Sequence, residues 1–294
     1  MSEPATLPHI PLPAAPSQNR PLAVRTFGLT DPGRVRPSNE DQFLVAELAK
    51  AMRVQYASLP QPKTQYADER GYLFIVADGI GGHQAGEQAS AMAVQTIEEF
   101  ALNTLKWFFR LKGTGEQDIL KEFQAVLQQA DARICEEAAQ HSELAGMGTT
   151  VTMAYNFGSR LFVVHVGDSR CYLFRARQLL RLTHDHTLVA EMVSRGDLQP
   201  EEAAHHHLRH VITNAVGGKE QGVQVECHRL ELEPDDTLVL CSDGLTEMVS
   251  EDRIAAVLQA DQEPRTACER LVAEANENGG KDNISVIVAR FEAT

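Results

Sequence analysis

The chain has 294 residues and a formal net charge of −14, with 41 acidic against 27 basic side chains. This balance argues against nucleic acids and anionic lipid surfaces as partners, because both are bound by clustered Lys and Arg side chains. No apolar run approaches the ~20 residues of a membrane-spanning helix, so we also expect no membrane insertion.

The first 22 residues contain six of the 13 prolines and have neither the basic start nor the apolar stretch of a secretion signal. We expect residues 1–22 to form a disordered, extended tail, with docking of a partner on it as an open alternative. The five cysteines are scattered, without a Cys-x-x-Cys pair or a zinc spacing, and are expected to be reduced. The resulting expectation is a soluble, cytoplasmic protein.

After the tail, short β-rich segments are interrupted by blocks of helical periodicity. In chain order, the predicted elements are strands 42–48 and 72–77, helices 85–100 and 119–134, strands 149–157, 161–167, 171–176 and 236–242, helices that follow Ser250 and Pro264, and a strand over 283–291. Two segments break the pattern, 49–70 and the His-rich 184–222, and both are expected to be surface insertions.

The connections between these elements indicate their arrangement. Consecutive strands joined by tight turns, such as those after Phe157 and Gly167, favour antiparallel pairing. Helices that come in groups, without alternating regularly with strands, cover the faces of such sheets. We therefore expect an α+β fold in which two antiparallel sheets stack with helices outside them.

A glycine-rich turn follows the strand at 72–77 and reads Asp-Gly-Ile-Gly-Gly-His from Asp78. Such turns often bind phosphate, but Gln84 stands where a dinucleotide fingerprint from Gly79 needs glycine, and Glu87 stands where a P-loop needs lysine. Asp78 comes where the strand leaves the interior. This position indicates a bound cation in place of a phosphate.

Four further aspartates lie at the ends of apolar strands: Asp168 and Asp243 after a strand, Asp41 and Asp282 just before one. Each alone is an ordinary turn residue. In antiparallel sheets those ends can share one edge, where two carboxylates ~4 Å apart repel by about 4 kcal/mol at an effective dielectric of ~20. Divalent cations offset that repulsion, and ligation by oxygen alone suits Mg²⁺ or Mn²⁺ better than zinc. Two such ions can activate one bridging water.

Six segments follow one another along the chain: GRVRPSNED (33–41), VADGIGGH (76–83), GMGTTVT (146–152), VGDSRCY (166–172), LCSDGLTE (240–247) and KDNISVIV (281–288). In this order they resemble the motifs of the PPM (type 2C) family of metal-dependent serine/threonine protein phosphatases in its bacterial form. Each motif is weak alone, but six in the right order are hard to explain by chance. The resemblance implies that residues 23–294 form one phosphatase domain, an α-β-β-α sandwich with a metal centre at one edge.

The resemblance also implies a role for each aspartate in a centre of two Mn²⁺ or Mg²⁺ ions. By this match, Asp78 bridges both ions and the Gly79 carbonyl adds a ligand. Asp243 and Asp282 bind one ion, and Asp41 supports the other. The aspartates expected to share a sheet edge are thus the ones that the family uses as metal ligands.

Asp168 matches the family's ligand for a third, weaker ion, beside a flap over the active site that corresponds to residues 184–222. A helix around Leu188–Val193 and a turn at Gly196 suit such a flap. The three histidines 205–207 within it are not expected to form a native transition-metal site, because three adjacent histidines cannot all face one ion on a helix.

Other side chains receive individual predictions. Arg36 matches the arginine that grips the substrate phosphate, which suits a planar guanidinium that donates two charge-assisted hydrogen bonds, with Arg34 as the alternative. His83 resembles the histidine that protonates the leaving alkoxide, with a turn histidine contacting water as the open alternative. We expect Arg170 to form a structural ion pair and Trp107 to be buried.

The implied activity is hydrolysis of phosphoserine and phosphothreonine in proteins by a metal-bridged hydroxide, without a phosphoenzyme. Phosphorylated protein substrates of a serine/threonine kinase are the implied partners, within signal transduction. Two alternatives remain open. One is a pseudophosphatase that binds partners without turnover, for which the loss of a metal aspartate would speak, and the other is a phosphatase of nucleotides or small phosphoesters.

Overall fold

The computed structural model describes residues 21–56, 58, 64–82, 84–103, 116–203, 206–218 and 222–294. The predictions for residues 1–20, His83, Trp107 and His205 concern positions outside this part of the chain. Within it, none of the helices combines the length and the apolarity that crossing a membrane requires.

The secondary structure is numbered here in chain order. The strands are β1 (Leu22–Asp31), β2 (Gln42–Arg53), β3 (Thr64–Ala77), β4 (Gly79–Ile80), β5 (Gly148–Thr149), β6 (Val151–Phe157), β7 (Arg160–Val166), β8 (Arg170–Arg175), β9 (Gln178–Arg181), β10 (Val216–Gly217), β11 (Glu226–Glu231), β12 (Thr237–Cys241) and β13 (Ile284–Ala293). The helices are α1 (Gln84–Asn103), α2 (Glu116–Gln140), α3 (Leu188–Arg195), α4 (Pro200–Ala203), α5 (Asp243–Thr246), α6 (Glu251–Ala260) and α7 (Pro264–Glu277).

The strands form two five-stranded sheets and one small three-stranded sheet, with antiparallel pairing throughout the described residues. The first sheet has the order β1-β13-β12-β8-β9, the second β11-β7-β6-β3-β2, and the small sheet β10-β5-β4. Side chains of a strand alternate between its two faces. On β13, Val286 and Val288 therefore join one apolar cluster while Ile287 and Phe291 join another.

These apolar clusters define four layers. One cluster joins α1 and α2 to the second sheet, as Ile97 and Phe123 do with Ile75. A second joins α6 and α7 to the first sheet, and a third, with members from both sheets, lies between them. The α-β-β-α sandwich of antiparallel sheets predicted from the sequence is confirmed.

The residues that predicted the ends of α6 and α7 from the sequence also mark those ends in the structure. Ser250 Oγ accepts a hydrogen bond from Arg253 N over 3.3 Å and so caps an amide that α6 leaves unpaired. Pro264 occupies the first turn of α7, where its missing N–H is not needed. Gly279 and Gly280 then end α7 with φ of 131° and 50°.

Residues 49–70 differ from the predicted insertion. Strand β2 continues to Arg53 and β3 begins at Thr64, so the two strands form one long hairpin with an irregularity between Ala49 and Ala51. Antiparallel pairing uses main-chain groups and continues where the side chains are polar. Apolar and polar residues do not alternate regularly in the sequence of this part of the hairpin, so it was not recognised as strand.

Three strands of the large sheets were not predicted: β1, β9 and β11. Strand β1 begins at Leu22, one residue inside the predicted tail, and pairs with β13 along its length from Ala293 back to Ile284. Strand β11 pairs with β7 at the edge of the second sheet. Edge strands bury less of their surface, so β11 can carry polar side chains. Its sequence therefore resembles that of a loop.

Candidate metal centre

The turn after β3 holds the main chain of Asp78 through two threonines. Asp78 N donates a hydrogen bond to Thr150 Oγ1 over 3.0 Å. The Asp78 carbonyl accepts from Thr149 Oγ1 over 2.8 Å and from Thr150 N over 2.9 Å. Because these contacts fix both main-chain groups, the carboxylate is the part of Asp78 that is left for a ligand.

Glycines allow the first turn of α1 to approach this turn closely. A Cβ on Gly79 would collide with the Gly86 carbonyl oxygen, and a Cβ on Gly86 would collide with a carboxylate oxygen of Glu40. At Gly79 the obstructing atoms belong to the main chain, so only glycine fits there, whereas at Gly86 the nearest atom ends the flexible Glu40 side chain. Gly81 and Gly82 continue the turn with φ of 133° and 74°. The glycine-rich turn thus brings three main-chain segments together beside Asp78.

Asp41, immediately before β2, is only 2% exposed. Its Oδ2 accepts a hydrogen bond from Ser242 Oγ over 2.7 Å, and Ser242 Oγ accepts from Ser285 N over 2.9 Å. These bonds connect Asp41 to the ends of β12 and β13. Its Oδ1 is buried and has no hydrogen-bond partner among the described residues.

Asp282, just before β13, has both carboxylate oxygens engaged. Oδ1 accepts from Asn283 N over 2.9 Å, and Oδ2 accepts from Arg36 Nη2 over 2.6 Å. The Asn283 side chain fastens the loop that carries Arg36, because it accepts from Glu40 N over 2.8 Å and donates to the Ser38 carbonyl over 2.8 Å. Sequence reasoning missed Asn283, although it stands inside one of the six motifs.

Asp168 and Asp243 follow the ends of β7 and β12. Each has a buried Oδ1 without a hydrogen-bond partner in the described ranges. Both line a cleft of about 1410 Å³, together with flap side chains such as Val189 and His210. The two strand ends therefore open on one cleft that the flap borders.

The electrostatics of these carboxyls reveal their mutual proximity. Burial raises the pKa of Asp41 and of Asp168 to about 6. Burial, followed by the charges of neighbouring carboxylates, raises the pKa of Asp78 and of Asp243 well above the usual range. For Asp78 those neighbours are Asp41, Asp243, Asp168 and Asp282. The structure thus brings all five predicted aspartates into one acidic cluster.

The aspartate cluster fits a hard divalent cation. Three of its buried oxygens, one each from Asp41, Asp168 and Asp243, have no hydrogen-bond partner among the described residues. Such an oxygen has lost its water without gaining a partner, and coordination of a cation compensates for that cost. The donors are all oxygens, which is the set that Mg²⁺ and Mn²⁺ prefer.

The residues predicted to act on the substrate differ in placement. Arg36 contacts the aspartate cluster through Asp282, and its side chain is 52% exposed, so a phosphate can reach it. Arg34 is held through its main chain, since Arg34 N donates to the Gly280 carbonyl over 2.7 Å. His83 lies outside the described residues, and its role stays a prediction.

Arg170 forms the structural ion pair that was predicted for it. Its Nη2 donates to Asp185 Oδ2 over 2.7 Å and its Nε to Asp185 Oδ1 over 3.0 Å. Its Nη1 donates to Tyr172 OH over 3.2 Å. Burial opposes ionisation of the Asp185 carboxyl, but the charge of Arg170 outweighs it and lowers the pKa of Asp185. The pair fixes β8 to the segment that leads into the flap.

The flap contains the predicted helix and turn. Thr187 Oγ1 accepts from Ala190 N over 3.3 Å and caps α3, which ends at Gly196 with φ of 78°. His206 and His207 follow with ring centroids 4.5 Å apart. In the described part of the chain, neither belongs to a group of side chains placed to hold an ion.

Comparison with known proteins identifies the family. The family model of protein phosphatase 2C matches residues 60–275, so the chain belongs to the protein phosphatase 2C family. It is 33% identical, over 265 residues, to the serine/threonine phosphatase stp of Listeria monocytogenes serotype 4b (strain F2365), covering 90% of this chain and 95% of that protein.

Solved structures show the same likeness. The Mycobacterium tuberculosis serine/threonine phosphatase PstP/Ppp is 33% identical with a TM-score of 0.73, covering 92% of this chain and 99% of that one. The catalytic domain of the phosphatase PstP in complex with two manganese ions is 32% identical with a TM-score of 0.71, covering 92% and 99%. The resemblance inferred from the six motifs is confirmed.

Proposed function

We propose that this protein is a metal-dependent protein phosphatase that hydrolyses phosphoserine and phosphothreonine. The observation that carries the proposal is the cluster of five aspartates, three of which have a buried oxygen without a partner in the described ranges. The substrate class is supported by the relatives, which are named serine/threonine phosphatases. The PstP structure with two manganese ions supports a dual-metal centre.

In this proposal Asp78 would bind both ions of a Mn²⁺ or Mg²⁺ pair, next to the Gly79 carbonyl. Asp243 and Asp282 would bind one ion, and Asp41 would support the other. Two bound divalent ions supply Lewis acidity and a nucleophilic water near neutral pH. The protein contributes a buried, preformed set of carboxylates on the ends of rigid strands.

Asp168 would bind a third, weaker ion. Its carboxyl lies in the same cleft as Asp243 and beside the flap, and its Oδ1 lacks a partner among the described residues. Arg170, two residues further along the chain, places a positive charge near Asp168 and forms an ion pair with Asp185. The positive charge of Arg170 repels a cation at Asp168, so this carboxylate would hold an ion less firmly than Asp78, which has four other carboxylates around it.

Arg36 would bind the phosphate of the substrate, and His83 would protonate the leaving alkoxide. The guanidinium of Arg36 is half exposed and lies at the aspartate cluster, so it can orient a phosphoryl group beside the carboxylates. Its planar fork suits two phosphate oxygens at once. Positioning of this kind is the main contribution that side chains make to phosphoryl transfer.

Hydrolysis without a phosphoenzyme agrees with the hydrogen bonds that the neighbouring serine and threonine hydroxyls already form. Ser242 Oγ donates to Asp41 and accepts from the main chain of Ser285. Thr150 Oγ1 accepts from Asp78 N and lies 2.7 Å from Ser169 Oγ. These hydroxyls serve structural hydrogen bonds, which leaves water as the proposed nucleophile.

The proposal extends to the biological setting. Protein substrates of a serine/threonine kinase, a role in signal transduction and a cytoplasmic location are its further parts. They are supported by the sequence and by the substrate class in the names of the relatives. Identification of phosphoproteins that accumulate in cells lacking this chain tests them.

The decisive experiment measures phosphate release from matched phosphothreonine and phosphotyrosine peptides, with and without Mn²⁺. We expect Mn²⁺-dependent release from the phosphothreonine peptide and much slower release from phosphotyrosine. A nucleoside monophosphate tested alongside separates a protein phosphatase from an enzyme for small phosphoesters. Binding of the phosphopeptide without release would support a pseudophosphatase and contradict the proposal.

A further inference from the structure

A second group of metal-ligand side chains lies outside the aspartate cluster, around Glu226 on β11. His184 Nδ1 lies 2.8 Å and His228 Nε2 2.5 Å from Glu226 Oε1. The ligand atoms of these three side chains all lie within 4.8 Å of one another. His186 Nε2 lies 3.5 Å from the other carboxylate oxygen, Oε2. Three imidazoles thus converge on one carboxylate.

The backbone explains why these four side chains meet. Glu226 and His228 are two residues apart on an edge strand, so both side chains project from the same face of β11. His184 and His186 are two residues apart in the segment between β9 and α3. His184 N also donates to Glu226 Oε2 over 3.2 Å, which keeps this segment beside the strand.

We propose that His184, Glu226 and His228 bind a transition-metal ion of the Zn²⁺ class, at a site separate from the aspartate centre. Imidazole nitrogen with carboxylate oxygen is the donor set that zinc takes, whereas the aspartate cluster offers oxygen alone. Tetrahedral ligation at about 2.0–2.1 Å places ligand atoms about 3.3 Å apart. The observed separations of 2.8 and 2.5 Å reach that value by shifts of less than an ångström.

His186 is a positioning residue in this site. Its Nδ1 accepts a hydrogen bond from Gly167 N over 3.0 Å, so its Nε2 is the nitrogen that carries the proton toward Glu226 Oε2. A polar contact of this kind, from a residue that does not itself touch the ion, fixes the orientation of a ligating carboxylate. Burial of Glu226 works against its ionisation, but hydrogen bonds from His186, His228 and His184 outweigh burial and hold its pKa well below the usual range.

His165 lies beneath the group but is not a ligand. It is fully buried, and its Nδ1 pairs with Thr152 Oγ1 over 2.9 Å while its Nε2 pairs with the His184 carbonyl over 2.9 Å. Both ring nitrogens are therefore in use. The His184 side chain, by contrast, is 57% exposed, which leaves the outer side of the site open to an ion from solution.

Ion binding at this site would connect two parts of the fold. His186 N donates to the Gly167 carbonyl over 2.7 Å, and Gly167 immediately precedes Asp168. Helix α3 of the flap begins directly after Thr187, which caps it. An ion held between this segment and β11 would fix the base of the flap to the second sheet.

The test is metal binding by the full chain in excess Mg²⁺, which competes for the all-oxygen centre. We expect the wild-type protein to bind about one equivalent of Co²⁺ with the intense visible absorption of a four-coordinate nitrogen–oxygen site, and Zn²⁺ to displace it. The same signal should persist in Asp78→Asn, because that substitution alters only the aspartate centre. His184→Ala and His228→Ala should each lose the signal.

His141→Ala is the matched control, because His141 is an exposed histidine with Glu137 and Glu143 within 3.4 and 3.7 Å, and among the described residues it belongs to no group of side chains placed to hold an ion. It should bind Co²⁺ like the wild type. Circular dichroism checks folding, and Glu226→Gln, which keeps the shape of the side chain, replaces any variant that does not fold. A wild-type protein without the Co²⁺ signal, or variants that retain it, would overturn the proposal and leave a hydrogen-bonded histidine cluster.

Discussion

Arg36 donates to Asp282 across 246 residues of sequence, with Nη2 2.6 Å from Oδ2. The hydrogen bond to Asp282 raises the pKa of Arg36, which keeps the guanidinium charged beside the aspartate cluster. The guanidinium proposed to bind the substrate phosphate is therefore hydrogen-bonded to a carboxylate proposed to bind a metal ion. If Asp282 bound an ion, its hydrogen bond to Arg36 would weaken and the guanidinium would become available to the substrate.

Replacement of Arg36 by Ala should impair substrate use without weakening metal binding. Loss of a charge-assisted hydrogen bond costs about 1.5 to 3 kcal/mol, which corresponds to a roughly ten- to hundredfold lower kcat/KM. Steady-state kinetics with a phosphothreonine peptide and calorimetry with Mn²⁺ provide the two measurements. Arg34→Ala is the control and should behave like the wild type. Normal kinetics for Arg36→Ala with impaired Arg34→Ala would move the role to Arg34.

Asp78→Asn should remove both Mn²⁺ binding in the aspartate centre and turnover. Asp78 is surrounded by four other carboxylates, and an amide oxygen carries no charge to hold two cations against one another. Its main-chain contacts to Thr149 and Thr150 do not involve the side chain, so the fold should persist. Titration calorimetry that shows unchanged Mn²⁺ affinity would refute the assignment.

In the metal-free protein, each aspartate with a raised pKa should lower the free energy of unfolding as the pH rises, against the opposite contribution of His165, whose pKa burial lowers to about 4. The pKa of Asp41 is about 6 in the folded state against 3.8 for the ordinary carboxyl, so between these values the folded chain binds more protons than the unfolded chain. The free energy of unfolding therefore falls with rising pH through this window, on the order of 1 to 3 kcal/mol per such group. Urea denaturation in chelator at about pH 4 and pH 7 measures the change.

Asp41→Asn should flatten this pH dependence, because its amide stays neutral and can still accept from Ser242 Oγ. Asp197→Asn, at an exposed position outside the aspartate cluster, is the control and should leave the dependence unchanged. Saturating Mn²⁺ should reverse the trend in the wild type, since ions bind the charged carboxylates. The same pH dependence in Asp41→Asn and in the wild type, both in chelator, would contradict the prediction.

Asp168→Ala should lower the number of bound ions by one while two remain, and should depress turnover. Asp168 lies at the cleft beside the flap, and its side chain serves none of the main-chain contacts that hold the turn of Asp78. Equilibrium dialysis at millimolar-scale Mn²⁺ counts the ions, and thermal unfolding checks that the sandwich is intact. An unchanged ion count, or full activity, would return Asp168 to the role of a turn residue.

Removal of the proline-rich tail should leave the chemistry intact only if β1 is kept. A chain that begins at Pro21 retains all of β1, whereas one that begins at Pro32 lacks the strand that pairs with β13 along its whole length. We expect the first truncation to keep phosphopeptide activity and the second to unfold. A folded but inactive chain from Pro21 would show that the tail contributes to catalysis.

The sequence predicted the layers of the fold because buried strands leave a readable pattern. The strand at 72–77 is apolar on both faces, since Ile75 packs toward the helices and Phe74 toward the other sheet. Strand β11 has no such pattern, because it lies at an edge with polar side chains. The outer half of the β2–β3 hairpin was missed for the same reason.

Sequence reasoning named the five aspartates that the structure brings together and missed the side chains that arrange them. Aspartates at strand ends can be recognised from strand positions alone, since antiparallel strands bring their ends to common edges. The Asn283 bridge to the loop before β2 and the pairing of Arg36 with Asp282 join positions more than 240 residues apart. Such contacts depend on the packed geometry and leave no local signal.

The close approach of Gly79 and Gly86 sets a limit for anyone who wishes to engineer this protein. A methyl group at Gly79 would meet the main-chain carbonyl oxygen of Gly86, whereas one at Gly86 would first meet the end of the Glu40 side chain, which can move aside. A substitution at Gly79 therefore cannot be rescued by replacing a neighbouring side chain. In a library of random variants, position 79 should remain glycine among the active clones, whatever substrate is used for the selection, and position 86 should tolerate alanine more often.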